Sequence, residues 1–153
     1  MRHSLVRILP YAPEQLFTLV GDVERYPEFV PWVTSMRVWN RREEADGASQ
    51  LDAEAGVGFS FLTERFSTRV RRDPVRCEIT VSLISGPFKH LINRWKFSPH
   101  PAGTQVDFLI DFDFKSRLLQ TFLAANMQHA VERLVGCFEA RAKVLYGENG
   151  PPL

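Results

Sequence analysis

Hydrophobic and polar residues alternate along most of residues 33–114. The clearest run places an apolar side chain at every second position: Val106, Phe108, Ile110, Phe112 and Phe114. Such alternation is typical of antiparallel strands with one buried face and one solvated face. Turn-forming residues interrupt the pattern at Asp46-Gly47, Gly58, Asp73-Pro74, Gly86-Pro87 and residues 101–103. With a first strand at residues 3–9, the pattern predicts about seven strands.

The segment after the first strand has a different pattern. Residues 14–20 carry apolar side chains at helical spacing behind Pro13, a residue suited to a first helical turn. Pro27 and Pro31 then favour a stiff, turn-rich segment at residues 26–32. We therefore expect two short helices after strand 1, closing one end of the fold.

The last part of the chain reads as one long helix. After Ser116, a candidate N-cap, apolar residues recur at steps of three and four for about 30 residues and stop near Gly147. These residues are Leu119, Phe122, Leu123, Met127, Ala130, Leu134, Phe138, Ala142 and Leu145. The whole pattern predicts an α+β fold in which a curved antiparallel sheet buries its apolar face against this helix. Residues 1–147 form the domain, and the Gly- and Pro-rich residues 148–153 form a flexible tail.

Composition narrows the function classes. The chain has 153 residues, enough for one domain with its own core, and a formal net charge of +1. A DNA-binding protein normally shows a clear basic excess, so we expect no DNA partner. Cys77 and Cys137 are too few for a disulfide scaffold. We expect a cytoplasmic protein, with peripheral contact at the inner membrane left open.

No catalytic motif stands out. The four histidines are not spaced as metal ligands, and neither a Cys-x-x-Cys pair nor a serine-nucleophile elbow occurs. We therefore expect no metal site and no catalytic residues.

The predicted strand at residues 62–70 places polar side chains on the inner face. Glu64 and Thr68 share the inward parity of Phe66 and Val70. An unpaired inward carboxylate costs several kcal/mol unless it is partnered or hydrated. Either Glu64 meets a buried partner, or the inside of the sheet is a cavity with polar spots. Trp95 is likewise either a core tryptophan or part of a cavity wall.

Arginines dominate the opposite face of the same region. The outward basic strip consists of Arg65, Arg69, Arg71, Arg72 and Arg76. Such a strip is either a plain solvated face or a contact for anionic lipid headgroups or RNA.

Four ordered motifs together resemble one known family. They are residues 26–32, residues 64–70, residues 86–88 followed by Leu91, Trp95 and Phe97, and residues 112–119. In this order they are similar to the Coq10/RatA-type coenzyme Q-binding family of the START-like (polyketide cyclase/dehydrase) superfamily. The resemblance spans residues 2 to about 146, nearly the whole chain.

The resemblance implies a helix-grip fold, with a seven-stranded sheet around a long C-terminal helix and a deep apolar tunnel between them. It implies a lipid chaperone that binds a polyprenylated quinone such as ubiquinone, needs no obligatory cofactor and supports respiratory electron transport. The RatA branch implies instead ribosome contact that blocks subunit association. START-like cyclases and hydrolases keep an enzymatic function open, although fold alone does not dictate function.

A prenyl tail would be held mainly by apolar burial, at about 0.8 kcal/mol per CH₂ group. Thr68 or Trp95 could donate a hydrogen bond to a quinone carbonyl, whereas ionised Glu64 only accepts. The candidate ligand-binding residues are Phe29, Trp32, Glu64, Phe66, Thr68, Phe88, Leu91, Trp95, Phe112, Phe122, Met127, Val131, Leu134 and Phe138. The competing interpretation is that the apolar members simply fill a core.

Overall fold

Seven antiparallel strands form one sheet, as the alternation predicted. The computed structural model describes residues 1–59 and 62–147. In this part of the chain the strands are β1 (Arg2–Leu9), β2 (Val33–Glu43), β3 (Ser49–Phe59), β4 (Leu62–Asp73), β5 (Glu78–Ser85), β6 (Phe88–His100) and β7 (Gly103–Phe114). Their order across the sheet is β1-β7-β6-β5-β4-β3-β2, so β1 and β2 are the two edges. All neighbouring pairs are antiparallel.

The connections between strands follow most of the predicted turns. Gly86 shows why one of them needs glycine: its φ is +149°, and an added Cβ would lie 2.4 Å from the Cβ of Phe66. The turn signal near Gly58 precedes the β3–β4 connection by two residues, because Gly58 itself still pairs with Thr63 in the ladder. Residues 60–61, which connect these two strands, lie outside the described residues.

Two short helices follow β1, as expected. Helix α1 (Pro13–Gly21) begins with the proline that the sequence pattern placed in its first turn. A 3₁₀ helix (Val23–Glu28) contains Pro27. The Tyr26 hydroxyl donates a hydrogen bond to the carbonyl oxygen of Val20, which ties the 3₁₀ helix back to α1.

The C-terminal helix is interrupted, which corrects the prediction of a single helix. It consists of α2 (Arg117–Ala124) and α3 (Met127–Tyr146). At the break, Asn126 leaves helical geometry with φ −124° and ψ 13°, and its side-chain amide donates to the carbonyl oxygen of Phe122 at 3.0 Å. Asparagine readily forms such local hydrogen bonds in place of helical ones.

The predicted ends of the helical segment are confirmed. The backbone N–H of Leu119 donates to Oγ of Ser116 at 3.3 Å, so Ser116 caps α2. Gly147 ends α3 with φ +85°, and its N–H donates to the carbonyl oxygen of Lys143 at 2.9 Å. The tail predicted at residues 148–153 lies outside the described residues.

Helix α3 is held between the two edges of the sheet. Its buried residues recur at helical spacing and face the sheet: Met127, Val131, Val135, Phe138 and Ala142. On one flank, Glu139 forms an ion pair with Arg7 of β1 at 3.4 Å. On the other flank, Arg141 pairs with Glu28 of the 3₁₀ helix at 3.0 Å. The sheet thus curves around α3, as predicted.

Candidate functional site

An aromatic cluster fills the inner face of the sheet beneath the middle of α3. The ring of Phe138 lies 4.8 Å from Trp95 and 5.1 Å from both Tyr26 and Phe29, measured between ring centroids. Trp95 also meets Phe108 edge-on at 4.8 Å. Such edge-to-face contacts are the geometry that aromatic pairs prefer. This part of the inner face is therefore packed core.

Trp95 belongs to that core and does not offer a free donor. Its indole N–H donates to Oδ1 of Asn93 at 3.1 Å, and the Asn93 amide donates to the carbonyl oxygen of Leu109 at 2.9 Å. Trp95 is only 4 % exposed. A quinone carbonyl would have to displace Asn93 to reach this N–H.

A second aromatic cluster lies at the other end of the inner face, next to α2. The ring of Phe88 lies 5.2 Å from Phe66, 5.9 Å from Phe112 and 4.9 Å from Phe114. Phe88 and Phe112 are buried, whereas Phe66 and Phe114 are half-buried. This cluster thus has one side in the core and one side near solvent.

Cover over the inner face is uneven along β5 to β7. In β5, Ile79 is fully buried but Leu83 is half-buried, and in β7 Ile110 is half-buried between the buried Phe108 and Phe112. On β4 to β7 the half-buried inner-facing residues are Glu64, Phe66, Val81, Leu83, Leu91, Asn93, Ile110 and Phe114. We call this set of residues the cleft. Helix α2 lies beside it at the end of β7, where the backbone N–H of Phe114 donates to the side-chain oxygen of Gln120 at 2.8 Å.

Two polar side chains of β4 face the cleft. Glu64 is half-buried and Thr68 is 6 % exposed. Within residues 1–59 and 62–147, the Glu64 carboxylate forms no ion pair and the Thr68 hydroxyl forms no hydrogen bond. Every side-chain nitrogen or oxygen that is fully buried in these residues has a hydrogen-bond partner. Of the two alternatives for Glu64, a buried partner is not found among the described residues, and the cavity with polar spots stays a prediction.

The remaining candidate residues occupy different places. Met127 and Val131 are buried where α3 covers the sheet, and Leu134 is half-buried on its flank. Leu91 belongs to the cleft. The ring of Trp32 lies under the guanidinium of Arg133. Phe29, besides its place in the first aromatic cluster, contacts Arg141 in the same way.

Phe122 lies on α2, before the interruption at Asn126, and is 44 % exposed. Its place among the candidate ligand-binding residues stays a prediction.

Two open pockets lie outside the inner face, and neither is the deep tunnel that the resemblance implies. One of about 520 Å³ lies along α3 and is lined by Glu28, Phe29, Arg133, Gly136, Cys137, Ala140, Arg141 and Val144. The other, of about 330 Å³, lies between α1 and the β2–β3 turn and includes Arg72.

The outward basic strip is largely neutralised by carboxylates. Arg69 pairs with Asp52 at 3.3 Å, and Arg71 pairs with Glu44 and Asp46 at 3.1 and 3.0 Å. The other pairs in the strip are Arg65 with Glu54 and Arg76 with Asp73, while Arg72 donates to Ser49 and to the carbonyl oxygen of Gly21. The strip therefore forms an ion-pair network on the outer face of the sheet, which agrees with the solvated-face alternative.

Asp52 is the most buried carboxylate of this network. Asn40 donates to it at 2.9 Å from a left-handed backbone conformation with φ +57°, which asparagine tolerates well. Arg69 also donates to it, at 3.3 Å. The Asn40 hydrogen bond, with the hydrogen bond and charge of Arg69, holds the pKa of Asp52 below its usual value.

Neither a metal centre nor a membrane-spanning helix is found in the described part of the chain. No group of three or more His, Cys, Asp or Glu side chains is arranged to hold a metal ion there. No helix there is long and apolar enough to cross a bilayer.

Comparison with known proteins agrees with this architecture. Residues 9–139 match the family model described as polyketide cyclase / dehydrase and lipid transport. The chain belongs to this family. A START superfamily protein from Mycobacterium smegmatis shares the fold, with a TM-score of 0.76 at 21 % identity over 94 % of this chain and 98 % of that one. The fold is therefore the START-like, helix-grip fold.

Several relatives are more similar in sequence. An 18 kDa protein from Caulobacter crescentus is 56 % identical, with a TM-score of 0.80 over 95 % of this chain and 97 % of that one. The ribosome association toxin RatA of Rickettsia prowazekii is 34 % identical over 90 % of this chain and 92 % of its own length. The mitochondrial coenzyme Q-binding protein COQ10 homolog B of Xenopus laevis is 30 % identical, and the match covers all of this chain but 62 % of that relative. These relatives agree with the Coq10/RatA-type resemblance.

The Asp52 network makes stability sensitive to acid. Because the folded-state pKa of Asp52 is lowered, its contribution is present above about pH 5 and is lost as the pH falls below about 4. We expect Asp52→Asn to lower the free energy of unfolding at pH 7 by about 1.5–3 kcal/mol. The loss should shrink as the pH approaches 3, in urea unfolding followed by circular dichroism.

Glu43→Gln is the matched control, because Glu43 is exposed on the neighbouring strand. It should change the unfolding free energy little at any pH. An equal loss for Asp52→Asn at pH 7 and pH 3 would contradict the assignment.

Proposed function

We propose that this protein binds a polyprenylated quinone such as ubiquinone in the cleft, without catalysing a reaction on it. The observation that carries the proposal is the set of half-buried apolar side chains on the inner face, contributed by β4 to β7. Apolar side chains in a concave, partly solvated region are what a ligand pocket offers before it is filled. The family description, which includes lipid transport, supports the same class of ligand.

The two parts of a quinone fit the chemistry of the cleft. A prenyl tail would cover the exposed sides of Leu83, Leu91 and Ile110, and each buried CH₂ group contributes about 0.8 kcal/mol. The Phe66 ring offers the quinone ring an aromatic surface at the solvent side of the second cluster. The Thr68 hydroxyl can donate to a quinone carbonyl, whereas ionised Glu64 can only accept.

The name of one relative supports binding over catalysis. The Xenopus relative is named as a coenzyme Q-binding protein. In this account the protein is a lipid chaperone that serves respiratory electron transport from the cytoplasmic side of the inner membrane. The aromatase/cyclase neighbours, such as one from Streptomyces at 17 % identity, share the fold alone.

The binding proposal is tested by titrating the purified protein with a short-chain ubiquinone and following intrinsic tryptophan fluorescence and thermal stability. The quinone should raise the melting temperature, because a ligand that binds only the folded state stabilises it. Leu134→Lys brings an ammonium group to the flank of α3 beside the cleft, and it should weaken binding at least about tenfold, because a charge there loses hydration.

Val144→Lys is the matched control, since Val144 lies on the same helix but is 75 % exposed. It should bind quinone as the parent protein does. Absence of a thermal shift in the parent protein would count against quinone binding, and equal binding by Leu134→Lys would place the ligand elsewhere.

A second candidate is association with a ribosomal subunit. It is favoured by several relatives named ribosome association toxin RatA, at 32–35 % identity. The paired outward basic strip and the formal net charge of +1 weigh against it, because RNA binding draws on unpaired cations.

Sucrose-gradient sedimentation of lysates after overexpression tests this candidate. Subunit association activity predicts a rise of free subunits at the expense of assembled ribosomes. An unchanged ratio, with the protein staying at the top of the gradient, is the result that the quinone proposal predicts and that dismisses the ribosome candidate.

A further inference from the structure

Helix α2 is amphipathic, yet it buries none of its residues. Two apolar rows run along it. Leu119 and Leu123 are half-buried toward the core, whereas Leu118 and Phe122 are 75 % and 44 % exposed. An amphipathic helix in a globular protein normally buries its apolar side. Part of the apolar side of α2, with Leu118 and Phe122, therefore faces solvent.

Three exposed cations lie at the same end of the sheet as α2. Lys115 and Arg117 are exposed at the start of α2. The backbone N–H of Lys115 donates to the carbonyl oxygen of Pro87 at 2.9 Å, which places the β5–β6 turn, and with it the exposed Lys89, at the same end of the sheet. None of the three cations forms an ion pair within the described ranges.

Carboxylates are scarce at this end of the molecule. The sequence has no Asp or Glu at residues 114–131 or 84–94. On the adjoining strand β7, Asp113 is paired with the ammonium group of Met1 at 2.7 Å, and Asp111 contacts His90 at 3.2 Å. The two segments that carry the exposed row and the nearby cations thus contribute no carboxylate, and Glu64 of β4 faces the cleft instead.

We propose that α2 and the β5–β6 turn dock this protein onto an anionic phospholipid membrane. The docking surface consists of Leu118, Phe122, Lys89, Lys115 and Arg117. Leu118 and Phe122 would enter the boundary between headgroups and acyl chains, while the three cations would meet lipid phosphates. An interfacial amphipathic helix binds membranes by this combination of apolar burial and attraction to anionic lipids.

The same surface fits other occupants less well. A symmetric dimer would bring the same cations of two copies together, which is unfavourable. Single-stranded RNA is bound by stacking bases on aromatic rings, and the most exposed residue of the row, Leu118, has no ring. A membrane satisfies both the apolar row and the three exposed cations.

Docking at this place has a consequence for the cleft. α2 borders the cleft, so a docked protein would present the opening to the bilayer, and a prenyl lipid could enter without crossing water. As an account of how the ligand arrives, the inference rests on the proposed function. The docking itself is measurable without any quinone.

Co-sedimentation with vesicles of phosphatidylcholine, with and without phosphatidylglycerol, tests the docking surface on the full chain. The protein should bind the anionic vesicles, bind the neutral ones much less, and dissociate at high salt. Lys115→Glu/Arg117→Glu should weaken binding at least about 25-fold, because each cation near an anionic surface accounts for about fivefold. Leu118→Asp should weaken it at least about tenfold.

Val75→Asp is the control, because Val75 is 82 % exposed in the β4–β5 turn at the opposite end of the sheet. It should bind anionic vesicles as the parent does. Circular dichroism and the melting temperature verify that each variant folds. Short-chain ubiquinone binding, measured without vesicles, should be retained by Leu118→Asp. A variant that no longer docks but still binds quinone therefore shows a loss of docking alone, distinct from a failure of the proposed function.

Three outcomes would overturn the docking surface. The first is equal binding of the parent and the α2 variants to anionic vesicles. The second is a concentration-dependent dimer, seen by light scattering, that Leu118→Asp abolishes. The third is ribosomal RNA binding that Lys115→Glu/Arg117→Glu abolishes while vesicle binding persists.

Discussion

The structure depends on a single helix covering the apolar face of a seven-stranded sheet. Helix α3 has 20 residues, so it spans about 30 Å. The helix lies between β1 and the 3₁₀ helix. It forms an ion pair on each flank, Arg7 with Glu139 and Arg141 with Glu28. Phe138 fixes its middle against Trp95. The sheet is well covered beneath this contact, whereas on the α2 side of it Leu83, Leu91 and Ile110 stay half-buried although Phe88 and Phe112 are buried.

The cleft and the exposed row of α2 follow from that incomplete cover. The helix is interrupted at Asn126, just before α3 begins. Only one of the two apolar rows of α2 packs against the core. Both features leave apolar surface in water, which lowers stability unless something covers it. A prenyl lipid in the cleft and a bilayer under α2 would cover them at the same end of the molecule. Binding and delivery would then use one opening.

The fold could be predicted from the sequence because its signals are periodic. Alternation in residues 33–114 marks the strands, Ser116 and Gly147 mark the ends of the helical segment, and inward parity found Phe66 and Thr68. The break at Asn126 could not be read from spacing, since apolar steps of three and four continue through it. For that reason the spacing groups Phe122 with the inner-facing residues of α3. The alternation shows which face a side chain points to but not how deeply it is buried. It therefore did not separate the packed Trp95 from the half-buried Leu83 and Ile110. Most of the ion-pair partners of Arg69 and Arg71 come from another strand and from a turn, so the pattern within β4 could not predict them.

The central claim is that the inner face admits a lipid at its α2 end and nowhere else. Methyl-resolved NMR of protein labelled at Ile, Leu and Val, recorded with and without a short-chain ubiquinone, tests it most directly. The account expects shift changes and ligand contacts at Leu83, Leu91 and Ile110, with Ile79 and Val106 unchanged, because these two are buried beneath the packed core. Unchanged methyl signals throughout, or contacts confined to the outer face, would contradict it.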